Sequence, residues 1–334
     1  MSIGKMIYVI DSHTAGEPTR IVMGGIPYLH GDTIVEKAHY FKENFDYIRT
    51  ALFQEPRGLL RGEGALITTP TDNESQLGVF FMNAKSPLVP MCGHGSIGVI
   101  TAAIEFGLVD TVEPMTKVAL DTPAGLVTGY AKVRGGTVES VSIRNVPSFL
   151  YKSINVELPN IGSVPMDIAY GGVFFAIIDA SAIGTTVDLN NAARLYELAA
   201  VIKDIANSQI SVNHPQKPIS TISGVRFYSK LKEDGTHIRN LTIIEGTIDR
   251  SPCGAGTSAH LSALHAKGQI GLDQECIHES IVGTTFKSKI VSKTKVNGFE
   301  AVIPEITGNA YTMGINTIVL SPNDPLKHGF LVQI

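Results

Sequence analysis

The sequence predicts a mixed α+β protein built as two similar domains, and three observations carry that expectation. Short apolar runs rich in Val, Ile and Phe recur along the chain, each bounded by Gly, Pro, Asn or Asp as strands are. Only a few stretches show the apolar spacing of helices. Two segments also match when set side by side, "PMCGHGSIGVITAAIEFGLVD" and "SPCGAGTSAHLSALHAKGQIG". Each runs Pro, Cys, Gly, a small-residue turn, an amphipathic helix of about three turns and a closing Gly.

Taken in order, "GKMIYVID" (4–11) reads as the first strand, and the Asp11 to Glu17 stretch shapes a turn around "SHTAGEPT". "TIVEKAHYFKENFDYIRTALF" (33–53) has helical periodicity; "GALITTP" (64–70) and "LGVFFMN" (77–83) return to strand. A helix follows Cys92, and "VESVSIRNV" (138–146) is a strand that runs into a break near "RNVPSFL", Arg144 to Leu150. The second half repeats the theme. "GGVFFAIID" (171–179), "GVRFYSK" (224–230), "NLTIIEG" (240–246) and "NTIVLSP" (316–322) are strands. Helices are expected over 188–209, capped near Asp188 or Asn190, and after Cys253. The simplest arrangement presents one cysteine at the start of a helix in each domain.

A chain of 334 residues exceeds the usual domain of ~100–200 residues, which agrees with two domains. The formal charge of −4 is spread without long runs of one sign, so no footprint for nucleic acid or an anionic membrane is present. The first residues lack the apolar core of a signal peptide and no long apolar span follows, so a cytoplasmic protein is expected. Three cysteines, Cys92, Cys253 and Cys276, include no C-x-x-C pair, which argues against a disulfide framework and a cysteine-rich zinc site.

Gly93, Gly95 and Gly98 have G-x-G-x-x-G spacing, with Glu113 about 20 residues on. A dinucleotide turn needs a buried strand leading into the glycines, and Pro87 and Pro90 break one here. The thiol reading is stronger. A cysteine at a helix N-terminus meets unpaired N–H groups and the positive end of the helix dipole, which favour thiolate and can also hold a substrate carboxylate. An isolated cysteine is usually a small buried hydrophobe, but recurrence in two matched turns points to function for Cys92 and Cys253. Cys276, in "LDQECIHES", has no such turn and reads as a bystander. His94 and Asp249 flank the two turns and are candidates for positioning substrate. Asp11, Ser12 and His13 are adjacent and do not converge as a hydrolase triad, and His260 and His265, five apart, miss the spacing of a helical zinc pair.

Two thiols acting on one small anionic substrate suit stereoinversion. One removes the proton from a carbon acid while the other, in the opposite protonation state, returns a proton to the other face. Helix N-termini aimed at the carboxylate supply preorganised stabilisation, so no cofactor is required.

With "DSHTAGEPTRIV", "DTPAGLV" and "EITGNAYTMG", the blocks "MCGHGSIG" and "DRSPCGAGTSAH" resemble the proline racemase family, which includes 4-hydroxyproline 2-epimerases and trans-3-hydroxyproline dehydratases. The blocks span Asp11 to Gly314, nearly the whole chain. The resemblance implies a diaminopimelate epimerase-like fold of two pseudo-symmetric domains, each wrapping strands around a central helix, with the active site in the cleft between them. The expected domains are 1–146 plus 311–334, carrying Cys92, and 147–310, carrying Cys253. It implies Cys92 and Cys253 as the catalytic acid/base pair. The amides of Gly93, His94, Gly254 and Ala255 would hold the carboxylate, and Asp249 would receive the ring ammonium.

A homodimer without cofactor or metal is implied as well. Dehydratases of the family carry Thr in place of the second cysteine, so Cys253 points to racemisation or epimerisation. Gly95 leaves room for a 4-hydroxyl, so the expected reaction interconverts trans-4-hydroxy-L-proline and cis-4-hydroxy-D-proline. Proline racemisation is the alternative, and a non-catalytic amino-acid binding protein on the same scaffold is the reading from another class. Ala255 departs from the family's common Thr; a backbone contact would survive the change and a hydroxyl contact would not.

Overall fold

Apolar alternation and one tight turn set the first hairpin. In the computed structural model, which describes residues 4–58, 62–89 and 91–332, β1 (Lys5–Thr14) and β2 (Glu17–Gly24) pair antiparallel across Ala15 and Gly16. The helix α1 (Ile34–Phe53) opens on a reciprocal cap: the Thr33 hydroxyl accepts from the Glu36 amide, and the Glu36 carboxylate accepts from the Thr33 amide. Its buried face, including Phe41, Ile48 and Leu52, packs in one cluster with Ile7, Leu66 and Phe80. Each such side chain contributes roughly 1.5–3 kcal/mol on burial.

The chain continues through β3 (Glu63–Thr68), β4 (Leu77–Asn83), α2 (Gly93–Glu105), β5 (Met115–Thr122), β6 (Gly125–Arg134) and β7 (Thr137–Arg144). Then come β8 (Phe149–Leu158), β9 (Gly162–Tyr170), β10 (Phe174–Asp179), α3 (Ala192–Gln209), β11 (Ile222–Lys230) and β12 (His237–Ile244). The last elements are β13 (Thr247–Asp249), α4 (Gly254–Ala266), β14 (Cys276–Glu279), β15 (Thr285–Val296), β16 (Phe299–Gly308) and β17 (Ala310–Leu320). Two compact units result. One takes the chain up to Ile143 and again from Asn309, and the other is Arg144–Gly308.

Within the first unit the strands run β17-β1-β2-β3-β4-β5-β6-β7. The joins β2–β3 and β4–β5 are parallel, and α1 and α2 are the crossovers that parallel pairing demands. The second unit repeats this order as β8-β9-β10-β11-β12-β14-β15-β16, with parallel joins bridged by α3 and α4 and with β13 folded back on the end of β12. Thus β17 stands beside β1 as β8 stands beside β9. The strand that follows β16 in sequence completes the first unit's sheet.

Each sheet surrounds one helix. α2 touches β1, β2, β3, β6 and β17, and α4 touches β8, β9, β10, β15 and β16. Both helices are buried around their circumference, as helices with an apolar or small residue on every face must be. In the second unit Ser148 and Val302 exchange both backbone hydrogen bonds at 2.8 Å, joining the start of β8 to β16. The fold class is therefore a mixed α/β architecture of strands wrapped about central helices, with α1 and α3 packed on the outside of the sheets.

Local details refine the sequence expectations. Asp188 caps a short 3-10 turn, Leu189–Asn191, and α3 begins only after it, at Ala192. β10 starts at Phe174, and Gly171 ahead of it lies against α4, where a β-carbon would come within 2.2 Å of the Ala255 carbonyl oxygen. Pro90, read above as a strand breaker, lies outside the described residues; Val89 makes only an isolated bridge to Phe81. Among the described residues no helix is long and apolar enough to cross a membrane.

Candidate active site

The internal repeat is realised at two helix starts with the same capping hydrogen bond. Cys92 is the N-cap of α2 and Cys253 the N-cap of α4, and each helix runs 13 residues from the following glycine. A cysteine takes the capping role usually filled by Ser, Thr, Asp or Asn. Its sulfur accepts the amide three residues on, Gly95 N–H to Cys92 Sγ at 3.4 Å and Gly256 N–H to Cys253 Sγ at 3.3 Å. Neither cysteine is part of a disulfide, and both are almost fully buried.

The first turn is pinned from several sides. Ser96 Oγ donates to the Cys92 carbonyl at 2.8 Å, and Thr14 of β1 donates to the His94 carbonyl at 2.8 Å. The His94 ring lies against the sulfur, with Nδ1 3.4 Å and Nε2 3.7 Å from Cys92 Sγ. A β-carbon on Gly95 would stand 2.8 Å from the Phe81 ring and 3.1 Å from Cys92 Sγ, and one on Gly98 would stand 3.1 Å from Ser12 Oγ. These glycines are required by helix-to-strand packing. No strand leads into the turn among the described residues, so the geometry is not that of a dinucleotide-binding turn.

The second turn carries more charge. Asp249, at the end of β13, accepts from the Ser251 amide at 2.8 Å and from its hydroxyl at 2.7 Å, and Ser251 Oγ in turn accepts from the Cys253 amide at 3.1 Å. Burial first, and the Asp249 carboxylate second, push the Cys253 thiol well above the usual cysteine range, while Arg226 and the Gly256 amide pull it back. Cys253 is therefore a neutral thiol near pH 7. Its backbone sits at φ 63° and ψ 102°, a conformation that favours glycine.

Sequence reasoning placed Cys92, Gly93 and His94 on one turn, and Asp249, Cys253, Gly254 and Ala255 on the other; the structure brings each set together in its own unit. It missed Thr14, Ser96, Ser251 and above all Arg226. The signal for Arg226 was a charge in the middle of the apolar run "GVRFYSK": Val225 and Phe227 join the α3-side core, and strand alternation sends 226 to the opposite face.

The remaining candidates are accounted for structurally. Asp11 forms a bidentate pair with Arg20 at 2.7 and 3.2 Å, and Ser12 Oγ donates to the Thr19 carbonyl. His265 Nδ1 bonds the Ile270 carbonyl at 2.8 Å. Cys276 is buried in β14, where burial raises its thiol to about 11. Among the described residues no cluster of His, Cys, Asp and Glu could hold a metal ion.

Comparison with known proteins places this fold among the racemases and epimerases of the isomerase class. The chain belongs to the proline racemase family, whose model matches residues 9–331. It is 47% identical to the proline racemase of Clostridioides difficile, with all of both chains covered. A 4-hydroxyproline 2-epimerase of Streptosporangium roseum is 39% identical over 99% of this chain and 100% of that one. A hydroxyproline epimerase from Agrobacterium vitis, solved with bound trans-4-OH-L-proline, superposes with a TM-score of 0.88 at 35% identity, over 99% of this chain and 96% of that one.

Proposed function

We propose that this protein inverts the α-carbon of a cyclic secondary amino acid, with proline as the leading substrate, using Cys92 and Cys253 as a thiolate and thiol pair. One observation supports this above the others: both cysteines cap buried helices in the same way, each sulfur taking the amide three residues on. In one direction the Cys92 thiolate takes the α-proton while the Cys253 thiol delivers its proton to the opposite face. The protonation states are then exchanged, and the reverse reaction restores them. The amides of Gly93 and His94, and of Gly254 and Ala255, open the two helices and are assigned to the substrate carboxylate. Asp249 is assigned to the substrate ammonium. No cofactor enters the scheme.

Proline leads because the 47% relative is a proline racemase and because Gly95 has a packing reason of its own in the Phe81 ring. The second reading, 4-hydroxyproline 2-epimerase, is favoured by the hydroxyproline ligand of the A. vitis structure and by the small residue at 95. We assign the chain to a homodimer on the apolar outer face of β17.

In D₂O, the purified protein without added cofactor should place deuterium at the α-carbon of proline. The ratio of kcat/KM for proline and hydroxyproline decides between the two substrates. Loss of exchange with both would leave a binding protein in place of an enzyme.

A further inference from the structure

Beneath the first turn of α4 lies a cation that the reaction scheme does not use. Arg226 is fully buried, with 0% of its surface exposed. Its Nη1 donates to the Pro252 carbonyl at 3.0 Å, the peptide group directly before Cys253, and to Thr242 Oγ1 at 2.9 Å. Its Nη2 donates to Thr257 Oγ1 at 3.3 Å and to His278 Nδ1 at 3.0 Å. Thr257 donates to the same Pro252 carbonyl at 3.1 Å, so guanidinium and hydroxyl grip one oxygen. The guanidinium and the sulfur also border the same spot beside Gly256. The place a β-carbon on Gly256 would occupy is 2.9 Å from Arg226 Nη1 and 3.2 Å from Cys253 Sγ.

We propose that Arg226 is a positioning residue for Cys253: it clamps the Pro252–Cys253 backbone in its left-handed turn and supplies the positive charge against which the buried sulfur ionises. A guanidinium only donates, so His278 accepts through Nδ1 and is the neutral tautomer with its proton on Nε2. Burial and the Arg226 charge hold both His278 and His260 well below the usual histidine range, so neither competes as a cation. Tyr228 and Tyr170, on the strands around α4, are held neutral by burial. That leaves Asp249 and the Cys253 thiolate as the anions acting on Arg226, and burial draws the guanidinium down only to about 10, so it stays charged.

Asp249 and Arg226 thus act on Cys253 with opposite sign. This inference rests on the proposed role of the two thiols. A substrate ammonium on Asp249 would cancel the opposing charge, and Arg226 would then help Cys253 to its thiolate at the moment that reaction from the other enantiomer needs a base.

The test reads the thiolate directly, so it does not depend on turnover. In a Cys92→Ser, Cys276→Ser background, the pH profile of Cys253 alkylation by iodoacetamide is compared for Arg226, Arg226→Met and Arg226→Lys. Met should displace the profile upward by about one pH unit or more, a tenfold slower reaction at fixed pH. Lys keeps the charge and should hold the profile within about threefold of the parent. A Met profile superimposed on the parent, or a Lys profile displaced as far as Met, overturns the proposal. Should Met fail to fold, Arg226→Gln, also uncharged, takes its place on the same criteria. Absence of α-proton exchange in the unsubstituted protein would remove the racemase reading and leave this result standing.

Discussion

At the residue scale the two capping cysteines share hydrogen bonds and differ in backbone: Cys92 is extended at φ −134°, whereas Cys253 is left-handed at φ 63°. A non-glycine residue held there stores about 1–3 kcal/mol, and such strain is tolerated where the side chain is needed. Cys253→Gly should therefore unfold at higher denaturant than Cys253→Ala, by roughly 1–2 kcal/mol, with both variants inactive. Urea melts of the pair check this; equal midpoints would show that the turn is unstrained. Cys92→Ser and Cys253→Ser should each abolish measurable turnover, while Cys276→Ser should turn over normally.

Cys276 instead reports on pH stability. Its thiol rises from the ordinary 9.0 to about 11 in the folded state, a raised value, so its contribution is full below about 9 and is lost as pH climbs through 11. Cys276→Ala should flatten that part of the alkaline stability curve, and an unchanged slope between pH 9 and 11 would reject the assignment.

At the scale of elements the central helices depend on glycine at defined contacts. In Gly95→Ala the new methyl group would stand 2.8 Å from a fully buried Phe81 ring, which can shift. Overpacking of this kind costs about 1–3 kcal/mol, and Phe81→Leu in the same chain should recover part of it. Gly171→Ala meets backbone instead, 2.2 Å from Ala255 O and 2.5 Å from Ala259 N, and nothing there can rotate away. It should be the more damaging of the two in denaturant melts, and the opposite order would contradict the packing described.

These contacts also explain what could be read in advance. The helix at 33–53 was legible because period, cap and capping box agree at Thr33 and Glu36. The cysteine turns were legible because they repeat. Strands such as β8 and β15 hide in polar text, "FLYKSINVEL" and "TFKSKIVSKTKV", because one face meets solvent and lysines alternate with buried residues. The charge inside "GVRFYSK" marks Arg226 as unusual, but its role is not legible because its partners, Pro252, Thr257 and His278, come from distant segments.

At the scale of the whole molecule, β17 matters twice. It completes the first unit's sheet beside β1, and among the described residues it has no other strand partner within that unit. Its eleven residues, "AYTMGINTIVL", include no charge. Tyr311, Met313, Ile315 and Val319, at 59%, 56%, 68% and 49% exposure, are left outside with Met6 and Tyr8 of β1. Edge strands that stay single are commonly guarded by lysine, proline or a bulge; this one has a bulge at Met313 and carries neither lysine nor proline. An uncharged apolar edge of this length matches the proposed homodimer, because an isologous interface lets one surface serve both copies. Light scattering on the purified protein should return twice the 35.7 kDa chain mass. Ile315→Lys places a charge at the centre of the face and should return the single-chain mass, with the fold intact by circular dichroism. A parent protein that already runs as one chain, or an Ile315→Lys variant that still runs as two, would remove β17 from the interface.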